Sequence, residues 1–299
     1  LGNFGLGRMA GFTPSVALIS TFFLVSGSLI TTHATLAGYA DIWMVLTAGM
    51  GLASLLVYRV TGRSECLRLG LLLLLVASQI KREGWLWLGT GGLFLLLTSS
   101  TRPSYTRYKW GALGLIAGFS VVAWLTGYTV LSLGPLGQWR VTEKQIFAGF
   151  LGAYELNIRN PIDNYTTALF QRANFHLLAM FLSFALIYLG FKRQAVVWPS
   201  LFMLGLIIAV QSLIFGASAY SQYAEDGTAM ARVLMQLSPA FISIIGFSLQ
   251  AVYDNRAPGK PRNPLTLAPT SIGIAFVACC LAFLAPRALT LGDARFDKT

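Results

Sequence analysis

Lys81, Arg82 and Glu83 stand side by side in SQIKREGWLWLG, between the apolar runs LRLGLLLLLVA and GWLWLGTGGLFLLL. An ammonium and a guanidinium are the two strongest side-chain partners for a phosphate. Glu83 offsets one of these cations and leaves a net positive charge, while Gly84 lets the backbone turn or come close to a bound group. A plainer reading stays open: Lys81 and Arg82 could snorkel and anchor a short helix to headgroups. Trp85 and Trp87 suit both readings, because Trp concentrates at membrane interfaces.

Asp41 lies in THATLAGYADIW, with His33 and Tyr39 close by in sequence. An acid at that point either complements the positive end of the helix that follows or meets a ligand. His33 has one other histidine in the chain, His176, and no cysteine beside it, so the spacing holds no zinc pattern. In SAYSQYAEDGTAMAR, Glu225 and Asp226 precede Arg232, and Asp226 or Thr228 could cap the next helix. Arg232 and Gln236 are four apart and share one helix face, which lets Arg232 join Lys81 in taking an anion.

The elements that must carry these residues are read from composition. The 299 residues are 55% apolar and 11% charged, with a mean hydropathy of +0.65. Soluble domains hold about 25% charged residues. The expectation is an all-α polytopic bundle of about nine membrane segments: 12–30, 42–58, 67–80, 84–98, 110–131, 173–191, 195–217, 232–253 and 267–285. All of it forms a single membrane domain over residues 1–299, with no soluble domain.

Charge placement sorts the loops between these segments. Arg8, Arg59, Arg63, Arg68, Arg102, Arg107, Lys109, Lys192, Arg193, Arg256, Lys260 and Arg262 fall on one side, where the acids are only Glu65 and Asp254. Short basic loops mark the cytoplasmic face, so the other side is periplasmic, extracellular or luminal, and a bacterial inner membrane is the expected location. The net charge of +11 follows from this scatter, and nucleic acid, which needs a basic face or stripe, is not expected as a partner. Cys66, Cys279 and Cys280 are expected as free thiols packed as small hydrophobes.

The long connection 132–172 lies on the acidic side, and a loop of that length is often functional. Within it TEKQIFAGFLGAYEL sets Ile146, Phe147, Phe150, Leu151 and Tyr154 at helical spacing, as in an amphipathic interfacial helix. Segments 67–80 and 84–98 are short: at a rise of about 1.5 Å per residue each spans about 21–23 Å, against a hydrocarbon core of about 30 Å. The KREG turn between them would then dip below the headgroups, where a charge costs about 2.5–3.5 kcal/mol at a helix centre.

HATLAGYADIWMVLTAGMGLASLL, then a basic loop, then GLLLLLVASQIKREGWLWLGTGGLFLLL and, further on, DGTAMARVLMQLSPAFI together resemble membrane glycosyltransferases of the GT-C type. That class is related to the dolichyl-phosphate-mannose protein mannosyltransferases. The resemblance covers about residues 12–98 and 220–245, through a GYAD-like stretch, a KxEG-like turn, and a small-residue turn followed by an Arg and a Leu, Gln, Pro helix.

It implies a polyprenyl- or dolichyl-phosphate-linked sugar donor, an active site on the non-cytoplasmic face, and inversion at the anomeric carbon with a carboxylate base. Lys81, Arg82 and Arg232 would bind the donor phosphate. Asp41, Glu83, Glu225, Asp226, Tyr39, His33 and Gln236 would bind sugar or position the acceptor, and Glu225 with Asp226 could instead hold a divalent ion, though no cofactor or metal is demanded. In the class the base is an Asp in an external loop upstream of the GYAD-like region; it is expected here in a portion preceding Leu1. The alternative is a non-catalytic membrane subunit that keeps this scaffold and packs against membrane-protein partners.

Overall fold

The computed structural model describes residues 1–35, 40–98, 129–132, 138–141, 145–148, 152–155, 176–217 and 228–256. Its helices are α1 (Gly2–Met9), α2 (Pro14–Val25), α3 (Ser28–Thr35), α4 (Ala40–Thr61), α5 (Ser64–Ile80) and α6 (Glu83–Thr98), followed after a small sheet by α7 (His176–Phe191), α8 (Val197–Ala217), α9 (Thr228–Gln236) and α10 (Ser238–Arg256). Helix α4 is the centre. It packs on α5, which turns back onto α6, and on α10, which in turn packs against α2 and α7. Its residues Leu52, Ala53, Leu55 and Leu56 are fully enclosed, with Leu74 of α5 and Phe94 of α6 among the side chains around them.

Among the described residues one helix, Ala40–Thr61, is long and apolar enough to cross a membrane. A second exists only if α9 and α10, bent by 49° at their junction, count as one span. This corrects the expectation of about nine membrane segments, and the reasons are local. The apolar run 12–30 is not one helix: α2 stops at Val25 and α3 starts at Ser28, because Ser26-Gly27 interrupts it. The run 232–253 breaks at Leu237, where Pro239 sits in the first turn of α10 and cannot continue α9. Helices α5 and α6 have 17 and 16 residues, and Pro14–Val25, Leu177–Phe191 and Val197–Ser212 are shorter apolar helices. Segments 267–285 and most of 110–131 lie outside the described residues.

The connection 132–172 also departs from the all-α expectation. Strands β1 (Thr129–Ser132), β2 (Gln138–Val141), β3 (Gln145–Ala148) and β4 (Gly152–Glu155) form an antiparallel meander in the order β1-β2-β3-β4. The expected amphipathic helix is therefore a β3–β4 hairpin in which Ile146 pairs with Tyr154 and Phe147 with Ala153. Eight residues return a side chain to one helix face, but they also place it directly across a hairpin. The aromatic Phe147 and Tyr154 and the β-branched Ile146 favour the second arrangement.

Candidate functional site

Asp41 occupies the first turn of α4, and its side chain is 2% exposed. The chain then passes through a π-helical turn at Val45–Gly49, a feature frequent at functional positions. Gly49 closes that turn against the α9–α10 break: a Cβ there would stand 2.1 Å from the carbonyl oxygen of Gln236. Only glycine allows this approach, and through it Gln236 comes within reach of Asp41.

The second close approach is Gly84, where a Cβ would lie 2.0 Å from Ala77 O. Helices α5 and α6 can meet tightly only because this side chain is absent. Lys81 caps α5 in extended backbone, φ −142° and ψ 153°, and the turn closes with Gly84 N–H donating to Lys81 O at 2.9 Å. The hairpin thereby carries its charged tip to the start of α4.

Three helix ends and the α5–α6 turn now meet. Lys81 Nζ donates to Asp41 Oδ1 at 2.5 Å, and Arg232 Nη1 lies 3.7 Å from Asp41 Oδ2. Gln236 Nε2 donates to Asp41 Oδ1 at 3.1 Å and to Glu83 Oε2 at 3.4 Å. Trp87 Nε1 donates to Gln236 Oε1 at 3.3 Å, which fixes the orientation of the amide. Helical spacing supplies both halves of the network: Arg232 and Gln236 are four apart on α9, and Glu83 and Trp87 are four apart on α6.

Burial grades the cluster. Asp41, Gln236 and Trp87 are enclosed, whereas the Lys81 and Arg232 side chains are 28% and 42% exposed. Asp41 Oδ2 is buried and accepts no hydrogen bond; the Arg232 guanidinium beside it is a charge contact only. The cluster thus presents two partly open cations around a carboxylate with one vacant acceptor oxygen. An anion suits the first and a hydroxyl the second.

Five residues singled out in the sequence come together here: Asp41, Lys81, Glu83, Arg232 and Gln236. Arg82, next to them, is exposed. His33 is buried on α3, which packs against α4 and α9. Tyr39, Glu225 and Asp226 lie outside the described residues. Trp87 was read as an interfacial residue like Trp85, but it is fully buried while Trp85 is exposed; the signal for it was its place one turn after Glu83. Among the described residues no three of His, Cys, Asp and Glu gather as metal ligands, and Cys66 is a buried free thiol. Compared with family models, curated proteins and solved structures, the chain matches none of them.

Proposed function

We propose that this chain is a membrane protein that transfers a sugar from a polyprenyl-phosphate carrier to an acceptor, in the manner of GT-C glycosyltransferases. The membrane part rests on apolar faces that water would not tolerate at this scale. Leu18, Phe22 and Val25 form an exposed stripe along α2, with Phe22 65% exposed; Leu72, Leu75 and Val76 do so on α5, and Trp198, Leu201, Phe202 and Ile208 on α8. Exposed Trp43 and Trp85 lie near the Asp41 cluster and Trp198 and Tyr253 near the opposite end of the bundle, as aromatic residues do at two membrane interfaces.

One observation carries the transferase reading: Lys81 from the α5–α6 turn and Arg232 from α9 converge on Asp41 while staying partly open. In the transfer the bond between the sugar's C1 and the phosphate oxygen breaks, a bond from C1 to the acceptor oxygen forms, and the acceptor's proton passes to a carboxylate base, as the resemblance to the class implies. The leaving polyprenyl phosphate gains charge, and Lys81, Arg82 and Arg232 neutralise it, an effect worth several kcal/mol in a water-poor site. Asp41 Oδ2 takes a sugar hydroxyl, and Gln236 and Trp87 hold the carboxylates in place. The test is release of polyprenyl phosphate from a panel of polyprenyl-phosphate sugars by the purified chain in lipid. Turnover that falls at least about a hundredfold in Lys81→Ala, about the loss expected for one transition-state charge partner, supports the reading; unchanged turnover removes it.

A second reading is favoured by the same geometry. Asp41 and Glu83 are already bridged by Gln236, as in a structural network of a non-catalytic subunit. Stable isolation with a membrane partner, together with no turnover on any sugar of the panel, would select it.

A further inference from the structure

The end of the bundle away from Asp41 holds a cleft of about 300 Å³ that the transferase reading does not use. Phe12, Phe247, Gln194, Gln250, Asp254 and Asn255 line it. Three helices finish there: α1 is capped by Ala10, which also lines the cleft, α7 ends at Phe191 just before Gln194, and α10 ends at Arg256 just after Asn255. Each C-terminus carries the negative end of a helix dipole, so the three together favour a cation.

The side chains repeat that preference. Gln250 Nε2 donates to Asp254 Oδ1 at 3.0 Å, and Gln250 Oε1 accepts from Thr13 N–H at 2.8 Å. Gln250 is thereby spent, while among the described residues no Lys or Arg forms an ion pair with Asp254. Asn255 directs its Nδ2 at Ala251 O and Tyr188 Oη, which leaves its Oδ1 as an acceptor. Gln194 is presented by a turn in which Arg193 adopts φ 50°, a left-handed conformation uncommon outside glycine. Nearby cations are placed otherwise: Arg8 Nη1 donates to Phe12 O, and Lys192 Nζ stands 5.9 Å over the Tyr188 ring.

We propose that this cleft binds a primary ammonium carried beside a phosphate, the chemistry of an ethanolamine phospholipid headgroup. Asp254, Asn255 Oδ1 and the Gln194 amide accept the three N–H donors, which a quaternary ammonium lacks. Arg193, in the turn that carries Gln194, supplies positive charge for the phosphate. In sequence the exposed Phe191 and Trp198 flank Gln194, which lines the cleft, as aromatic residues do near headgroups. The assignment shares the membrane setting proposed above and is independent of the transferase reading.

The full chain in detergent is offered glycerophosphoethanolamine and glycerophosphoglycerol in one arm, and short-chain phosphatidylethanolamine and phosphatidylglycerol in the other. Binding is read by calorimetry and by native mass spectrometry. The ethanolamine compound should bind about tenfold tighter, the scale of one charge-assisted contact, and Asp254→Asn should reduce the difference below about twofold. A preference in either arm that Asp254→Asn abolishes upholds the site, and the arm that shows it names the source as the lipid or the free headgroup. No preference in either arm, preference for the glycerol compounds, or a preference that survives in Asp254→Asn overturns it. The soluble arm needs neither a bilayer nor a sugar donor, and Asp254→Asn should bind polyprenyl phosphate as the wild type does, so failure here and failure of the transferase reading are separable.

Discussion

At the Asp41 end of the bundle Asp41, Lys81, Glu83 and Arg232 gather around Gln236, with Arg82 exposed beside them, whereas at the opposite end Glu65, Arg68 and Asp254 stand open to solvent. The difference lies in how closely the backbones approach. Gly49 and Gly84 let α4, α5, α6 and the α9–α10 break meet without intervening side chains, and the Asp41 carboxylate at that junction has lost nearly all of its water while Lys81 and Arg232 stay partly open. A buried carboxylate is tolerated only when it is paired and hydrogen-bonded, and Lys81, Arg232 and Gln236 do this for Asp41. At the other end the glutamate–arginine pair Glu65–Arg68 spans 3.8 Å with side chains 61% and 75% exposed, and water does most of the solvating.

The contrast can be broken most severely at its cause. Gly49→Val would drive Cβ into the Gln236 carbonyl and separate α4 from the α9–α10 break. A loss of about 3 kcal/mol is expected, at the upper end for overpacking, read as a fall in thermal midpoint of the purified chain. Next in size is Lys81→Ala, which leaves Asp41 buried with Arg232 as its remaining cation. Breaking a buried pair costs about 3–5 kcal/mol, but Lys81 is partly exposed and Arg232 remains, so about 2 kcal/mol is expected from the same melt. Gln236→Leu removes the donor shared by Asp41 and Glu83 and leaves the Trp87 indole N–H without an acceptor, for about 1–3 kcal/mol. A blue-shifted or newly quenchable Trp87 emission should accompany it. Arg68→Ala should change stability by less than about 0.5 kcal/mol, as exposed pairs do; a loss as large as that of Lys81→Ala would erase the distinction between the two ends.

The residues of the candidate site were more legible in the sequence than the architecture. Lys81 and Glu83 between apolar runs, Asp41 at a helix start, and Arg232 with Gln236 one turn apart are each conspicuous because charge and amide groups are rare in such surroundings. Their meeting depends on Gly49 and Gly84, whose tight contacts no local pattern reveals. The span count failed for another reason. Apolar composition shows that a run is buried or lipid-facing but not that it is one helix, and Ser26-Gly27 and Pro239 end helices inside runs that hydropathy joins. The β3–β4 hairpin was misread because Ile146 and Tyr154, eight apart, satisfy helical and hairpin spacing alike. Trp85 and Trp87 differ in burial, not in residue type, and only the packing of α6 separates them.

Lys81 and Arg232 are proposed to meet a phosphate at Asp41, and the most direct measurement is the affinity of the purified chain for a short-chain polyprenyl monophosphate against the corresponding uncharged polyprenol. The wild type should prefer the phosphate, and Lys81→Ala and Arg232→Ala should each weaken its binding by about tenfold or more, the scale of one charge-assisted contact, with polyprenol binding unchanged. Equal affinity for phosphate and alcohol in the wild type, or phosphate binding undiminished in both variants, would contradict this proposal.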